Sequence, residues 1–269
     1  MLDIDLNPIL FTFGTFEIRW YGVMVTMAVI VLIGISLLEA KRRNIPQDTI
    51  WDIGLWGVVG GIVGARLLHI IDKWEYYINH PEQLLNFAGL AVWGAVLGGA
   101  VAMLIYCLVK KMSFWKLGDT VAPGAIMAQA IGRVGCLVNG CCYGAVCELP
   151  ISVIYLNPNS YAPHGVPVYP TQIFHIVWNV IGFVFLWLIR KKIKPEGALF
   201  LVWLIYFSLG DFAIRFFRGD ATPFMFNLPE AQVIDIAVVV VAAVMLVVLV
   251  IRDKKAVRPV EVVEASKSE

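Results

Sequence analysis

The sequence predicts an all-α polytopic membrane protein with seven transmembrane helices, its N-terminus outside, its C-terminus cytoplasmic, and a small extracytoplasmic cap. Three observations predict it. The 269 residues are 59% hydrophobic and only 15% charged, with a mean hydropathy of +0.78, which excludes an ordinary soluble domain. Seven apolar stretches approach the roughly 20 residues that a helix needs to cross a hydrocarbon core of about 30 Å. The cations fall in every second connection. With 21 Lys and Arg against 20 Asp and Glu, no global field points to nucleic acid and no acidic excess points to disorder.

The stretches run over residues 20–38, 53–71, 84–109, 120–138, 171–189, 197–217 and 231–251. Helix is the form that satisfies every backbone polar group within one segment in lipid. The third and seventh stretches are convincing by length; Arg133 interrupts the fourth, and Asp211 and Arg215 the sixth. Lys41, Arg42 and Arg43, then Lys110, Lys111 and Lys116, then Arg190, Lys191, Lys192 and Lys194, then Arg252, Lys254, Lys255, Arg258 and Lys267 mark alternate ends. They are 15 of the 21 cations, and by the positive-inside rule those ends are cytoplasmic. The start, MLDIDLNPIL, lacks the basic region of a cleaved signal, so the first helix is expected to be retained. Residues 145–170 hold no Lys or Arg, one Glu and five prolines, too polar and Pro-rich to span, and are assigned to the cap. The plan is a membrane domain over residues 1–252 and a solvated cytoplasmic tail over 253–269. Gly54, Gly57, Gly61 and Gly64 in the second helix, with Gly94 and Gly98 in the third, form a small-residue face suited to close helix packing.

Arginine at a helix centre costs about 2.5–3.5 kcal/mol on insertion scales, so Arg66, Arg133 and Arg215 each require a partner, a cavity or an anionic ligand. For Arg66, snorkelling to the headgroups is the competing reading. Asp211 and Arg215 are four apart, share a helix face and are expected to pair. Arg218 follows near the interface, in reach of a phosphate or a headgroup. A guanidinium in a low-dielectric cavity suits a lipid phosphate, because its planar donors bind two oxygens at once.

The segment GRVGCLVNGCCYG, residues 132–144, resembles the signature of the prolipoprotein diacylglyceryl transferase family, matching it at Gly132, Arg133, Gly135, Asn139 and Gly144. IRWYGVM from Ile18, the stretch from Asp52 to GIVGAR, DTVAPG from Asp119, YPTQIF from Tyr169 and FFRGD from Phe216 follow the family's order, so the resemblance covers nearly the whole chain. It implies transfer of the diacylglyceryl group of phosphatidylglycerol to the lipobox cysteine of a prolipoprotein signal peptide, forming a thioether and releasing glycerol 1-phosphate. No cofactor, metal or nucleic acid is implied. Arg133 would bind the phosphate and stabilise the leaving group. Tyr21 would bond the headgroup or help take the thiol proton, or else serve as a belt aromatic beside Trp20. Asn139 and Gln172 would orient the lipid or cap a helix end, with Arg215 and Arg218 as further phosphatidylglycerol contacts. Gly132, Gly135 and Gly144 would be structural.

The chain departs from the family at several positions. Cys136 and Cys141 stand where the pattern has Asn and Glu, Trp93 where some members have His, and His175 where a Glu is usual; the Asp211 to Arg215 order reverses an Arg to Glu pair. No general base is assigned, and His175 reads as an interfacial residue. Cys136, Cys141, Cys142 and Cys147, on the oxidising side of this topology, are candidates for two disulfides, with buried free thiols as the next reading. The spacing CxxxxCCxxxxC does not match familiar zinc pairs. A membrane thiol-disulfide oxidoreductase lacks its CxxC pair, and a non-catalytic lipid-binding or transport protein is disfavoured by the ordered motifs.

Overall fold

The computed structural model describes residues 1–14, 16–81, 92–219, 223–225 and 227–265. Within them run eight helices: α1 (Trp20–Arg42), α2 (Gln47–Asp72), α3 (Trp74–Asn79), α4 (Val92–Lys110), α5 (Phe114–Asn139), α6 (Thr171–Ile189), α7 (Ala198–Arg215) and α8 (Glu230–Ala265). Among the described residues six of them, α1, α2, α5, α6, α7 and α8, are long and apolar enough to cross a membrane, the pattern of a multi-pass membrane protein. The third expected span begins outside the described residues. Within α4 the described residues include the apolar run Leu97–Lys110, and the Trp93 side chain is not among those described. α8 continues as helix past Arg252 to Ala265; Lys267 lies outside the described residues.

The chain divides into two compact units: Ser36–Leu117, and Met1–Ile35 with Gly118–Glu269. In the first, α2 and α4 pack backbone to backbone. A Cβ on Gly64 would lie 2.7 Å from the Gly98 Cα, and one on Gly94 would lie 2.8 Å from the Ala65 Cα. The small-residue face is therefore a helix contact, but it is centred on Gly60 and Gly64, while Gly57 has open space beside it. Arg66 is 9% exposed and its guanidinium sits 5.1 Å from the Tyr77 ring centroid, so an aromatic face partners it.

The second unit holds α5 to α8, the start of α1, and seven short strands that depart from the all-α expectation: β1 (Leu2–Ile4), β2 (Ile9–Phe13), β3 (Phe16–Arg19), β4 (Val153–Tyr155), β5 (Pro167–Val168), β6 (Pro223–Met225) and β7 (Leu228–Pro229). β2 with β3 and β6 with β7 form two-stranded ribbons. The 145–170 segment is not a plain loop, because β4 pairs parallel with β1 and antiparallel with β5. Val153, Tyr155, Ala162 and Val168 bury a small core there, and Pro167, which lacks an N–H, sits on the edge strand.

Asp119 of the DTVAPG run is buried and fixes the start of α7, its carboxylate accepting the Gly197 N–H at 3.0 Å and the Phe200 N–H at 2.9 Å. Those are two of the donors a helix N-terminus leaves unpaired. α6 and α7 are joined by Trp178 and Tyr206, whose rings stack at 4.5 Å. Trp178 Nε1 donates to the Tyr206 carbonyl at 3.1 Å, and the Tyr206 hydroxyl donates to the Trp178 carbonyl at 3.0 Å. Both aromatic polar atoms are thus satisfied inside the bundle, and the pair sets α6 facing α7.

Candidate active site

The signature closes α5 with a Schellman turn. Gly140 adopts φ 72°, the Gly140 N–H bonds the Leu137 carbonyl at 3.3 Å and the Cys141 N–H bonds the Cys136 carbonyl at 3.1 Å. A Cβ at Gly140 would also run into Ser160 Oγ. This turn folds the chain back so that Cys141 and Cys142 return beside Cys136. The three Sγ atoms all lie within 4.8 Å of one another.

Beyond the turn, Gly144 threads between two neighbouring backbones. Its N–H bonds the Tyr169 carbonyl at 3.0 Å, the next N–H, that of Ala145, bonds the Phe217 carbonyl at 2.8 Å, and Gly144 bridges to Arg218. A Cβ on Gly144 would lie 2.6 Å from the Tyr169 oxygen and 2.8 Å from the Phe217 oxygen. Glycine is therefore needed at this position, and the Arg218 backbone is tied to the signature. Gly135 has a parallel role on α5, where a Cβ would lie 2.9 Å from the Met24 Cβ and 3.3 Å from the Tyr21 Cα. It brings the first turn of α1, with Tyr21, against the arginine-bearing helix. Gly132 has open space beside it, and no packing contact explains it.

The charge centre is Asp211, which is 3% exposed. Arg215 pairs with its Oδ2, as the spacing of four predicts, and Arg215 Nε also stands 3.9 Å from Asp235 on α8. Asp211 Oδ1 faces Arg133 Nη2 at 3.5 Å and His175 Nε2 at 3.6 Å. Four helices thus converge on one carboxylate. Removing a single partner from such a buried set typically costs about 3–5 kcal/mol, because the remaining charge is left uncompensated. His175 is 2% exposed, so it is a buried facing residue of this centre and not the interfacial one expected from sequence.

Asn139 and Gln172, read as lipid orienters or caps, are both turned onto protein groups. Asn139 Oδ1 accepts from Arg19 Nη1 at 3.2 Å, and Asn139 Nδ2 lies 3.8 Å from Cys141 Sγ. Gln172, 1% exposed, donates to the Cys141 carbonyl at 2.8 Å and to the Tyr155 hydroxyl at 3.2 Å. Thr171 donates to the Cys142 carbonyl at 2.7 Å. The first turn of α6 therefore clamps the cysteine turn. All five cysteines are free thiols, so the two disulfides expected from the compartment are not formed; Cys147 lies outside the trio and its Sγ accepts the Leu149 N–H at 3.4 Å. Hydrogen bonds from Cys136 and Cys141, followed by the charges of Arg133 and Arg218, hold the Cys142 thiol well below the ordinary thiol range despite its burial.

The family profile described as prolipoprotein diacylglyceryl transferase matches residues 8–248. The chain belongs to the prolipoprotein diacylglyceryl transferase family. Proteins named phosphatidylglycerol–prolipoprotein diacylglyceryl transferase are similar along most of it. That of Dehalococcoides mccartyi is 38% identical over 243 residues, covering 90% of this chain and 93% of that protein. Those of Clostridium tetani (32% over 238 residues, 88% and 95%) and Bacillus licheniformis (34% over 247 residues, 90% and 92%) are similar over comparable lengths.

In this member of the diacylglyceryl transferase family, the sequence reading missed three groups of the site. Arg19 stacks 4.6 Å from the Tyr161 ring centroid and holds the end of α5 through Asn139. Asp235, alone in an apolar run of α8, carried the signal of an intramembrane carboxylate and was passed over. His175 stands where a Glu is usual in the family, but only the packing of α6 on α7 reveals its partner.

Proposed function

We propose that this chain transfers the diacylglyceryl group of phosphatidylglycerol to the lipobox cysteine of prolipoprotein signal peptides, the first step of lipoprotein maturation. The observation that carries this reading is Arg133, a family-signature arginine on a membrane-spanning helix, held 3.5 Å from Asp211 with its side chain still 18% exposed. The long contact leaves donors for a second anion. In the reaction, the substrate thiolate attacks the glyceryl carbon, the C–S bond forms as the carbon–oxygen bond to phosphate breaks, and glycerol 1-phosphate leaves with the bonding electrons. Arg133 stabilises the negative charge that grows on that phosphate, assisted by Arg218. Arg215, between Asp211 and Asp235, positions Asp211 instead of binding lipid. Tyr21, packed over Gly135, would bond the headgroup or relay the thiol proton.

The distribution of cations supports a site at the outer leaflet of the bacterial cytoplasmic membrane, with the N-terminus outside and seven spans. Purified protein incubated with labelled phosphatidylglycerol and a lipobox peptide is expected to yield a thioether-linked diacylglyceryl peptide. Absence of that product overturns the reading; binding of the lipid without product supports a non-catalytic role instead.

A further inference from the structure

We propose that Cys136, Cys141 and Cys142 form a binding site for one thiophilic d10 metal ion, with Zn2+ as its probe. The Sγ atoms of the three residues all lie within 4.8 Å of one another. Tetrahedral thiolate coordination at about 2.3 Å places sulfurs roughly 3.8 Å apart, so small side-chain rotations close the set on an ion. Soft thiolate ligands favour such ions over Mg2+ or Ca2+.

The backbone beneath the ligands is already fixed. Gly140 at φ 72° and the Cys141 N–H to Cys136 carbonyl bond set the reversal. Gln172 and Thr171, both fully buried, hold the Cys141 and Cys142 carbonyls at 2.8 and 2.7 Å. Ligands supported in this way lose little freedom when a metal binds. The charge also balances: three thiolates around a dication carry one net negative charge, and the guanidinium charges of Arg133 and Arg218 act on Cys142. Binding releases the thiol protons to solvent, with no change of oxidation state. Three protein ligands leave a fourth position for water or another donor.

The inference stands apart from the transferase reading, because its readout is the metal and not the product. The full chain in detergent, reduced and stripped with a chelator, is titrated with Zn2+ against a chromophoric competitor while its thiols are probed by alkylation. The expected result is one Zn2+ per chain, protection of Cys136, Cys141 and Cys142, and a rise in Tm. C136S, C141S and C142S each weaken binding at least tenfold, and C147S leaves it unchanged. Co2+ in place of Zn2+ gives thiolate charge-transfer absorption that the same three variants lose. Zn2+ that leaves the three thiols of the unaltered chain as reactive as before overturns the site, whether or not a variant folds. Binding that survives C136S/C141S/C142S, or a trio isolated as a disulfide that binds no ion after reduction, overturns it as well.

Discussion

Arg133 Nη2 and Asp211 Oδ1 stand 3.5 Å apart, joining α5 to α7 across 78 residues of chain. Asp211 also holds Arg215, so its carboxylate sets where the signature arginine sits. Arg133→Ala removes the proposed phosphate donor and is expected to lower kcat/KM by about 100-fold or more, the scale for a lost oxyanion donor. The lipobox-peptide assay measures it, and a variant with unchanged kcat/KM sinks this role for Arg133.

Reversing the pair on α7 is expected to fail. D211R/R215E restores the charge order of the family pattern but puts a guanidinium where Asp211 faces Arg133 and His175. Like charges in a buried site cannot settle there. The double variant should be less stable than the unaltered protein and at least as impaired as Asp211→Asn. Thermal unfolding in detergent and turnover report the two effects, and full rescue contradicts the geometry.

The two glycines that flank the signature should respond in opposite ways. Gly144→Ala pushes a methyl into the Tyr169 and Phe217 carbonyls and is expected to cost about 1–3 kcal/mol as overpacking, displacing Arg218 as well. Gly132→Ala meets open space and should stay within about 0.5 kcal/mol. Comparing the two melting temperatures tests the threading of Gly144 between its neighbours.

Gly140→Ala tests the turn that gathers the thiols. An alanine at φ 72° costs about 1–2 kcal/mol from backbone sterics, and its methyl would meet Ser160. The expected readout is a lower Tm together with lost crosslinking of Cys136 to Cys142 by a short reagent with two thiol-reactive alkylating groups. Crosslinking that persists at full yield argues against the Schellman turn as the organiser.

Alkylation across pH should separate Cys142 from Cys141. A thiol held below its ordinary value of about 8.5 becomes thiolate at a lower pH than a free one. Cys142 is in that class, so its alkylation rate should level off at a lower pH than that of Cys141. Cys141 is shifted the other way: its bond with Cys136 pulls it down, but its bond with Cys142 and its burial outweigh that. Its rate should climb through the whole range. Mass spectrometry of each cysteine-bearing peptide measures both rates, and a Cys142 rate that levels off no earlier than that of Cys141 refutes the assignment.

The apolar runs, the alternating cations, the signature glycines and the Asp211 to Arg215 pair were all legible in the chain alone. Each is a local property: a helix long enough to cross lipid, a charge at its end, or two side chains one turn apart. Tertiary structure decided the rest. Arg133 meets Asp211, and β1 pairs with β4, only because segments far apart in sequence pack together. Asn139 and Gln172 face inward instead of toward lipid, because the α6 start has to satisfy the carbonyls of a reversed turn. The cysteines show the division most clearly. Their spacing suggests no ligand set, since a linear count cannot register a left-handed glycine; once Gly140 reverses the chain, three thiols share one place beside Asn139 and the charges of Arg133 and Arg218.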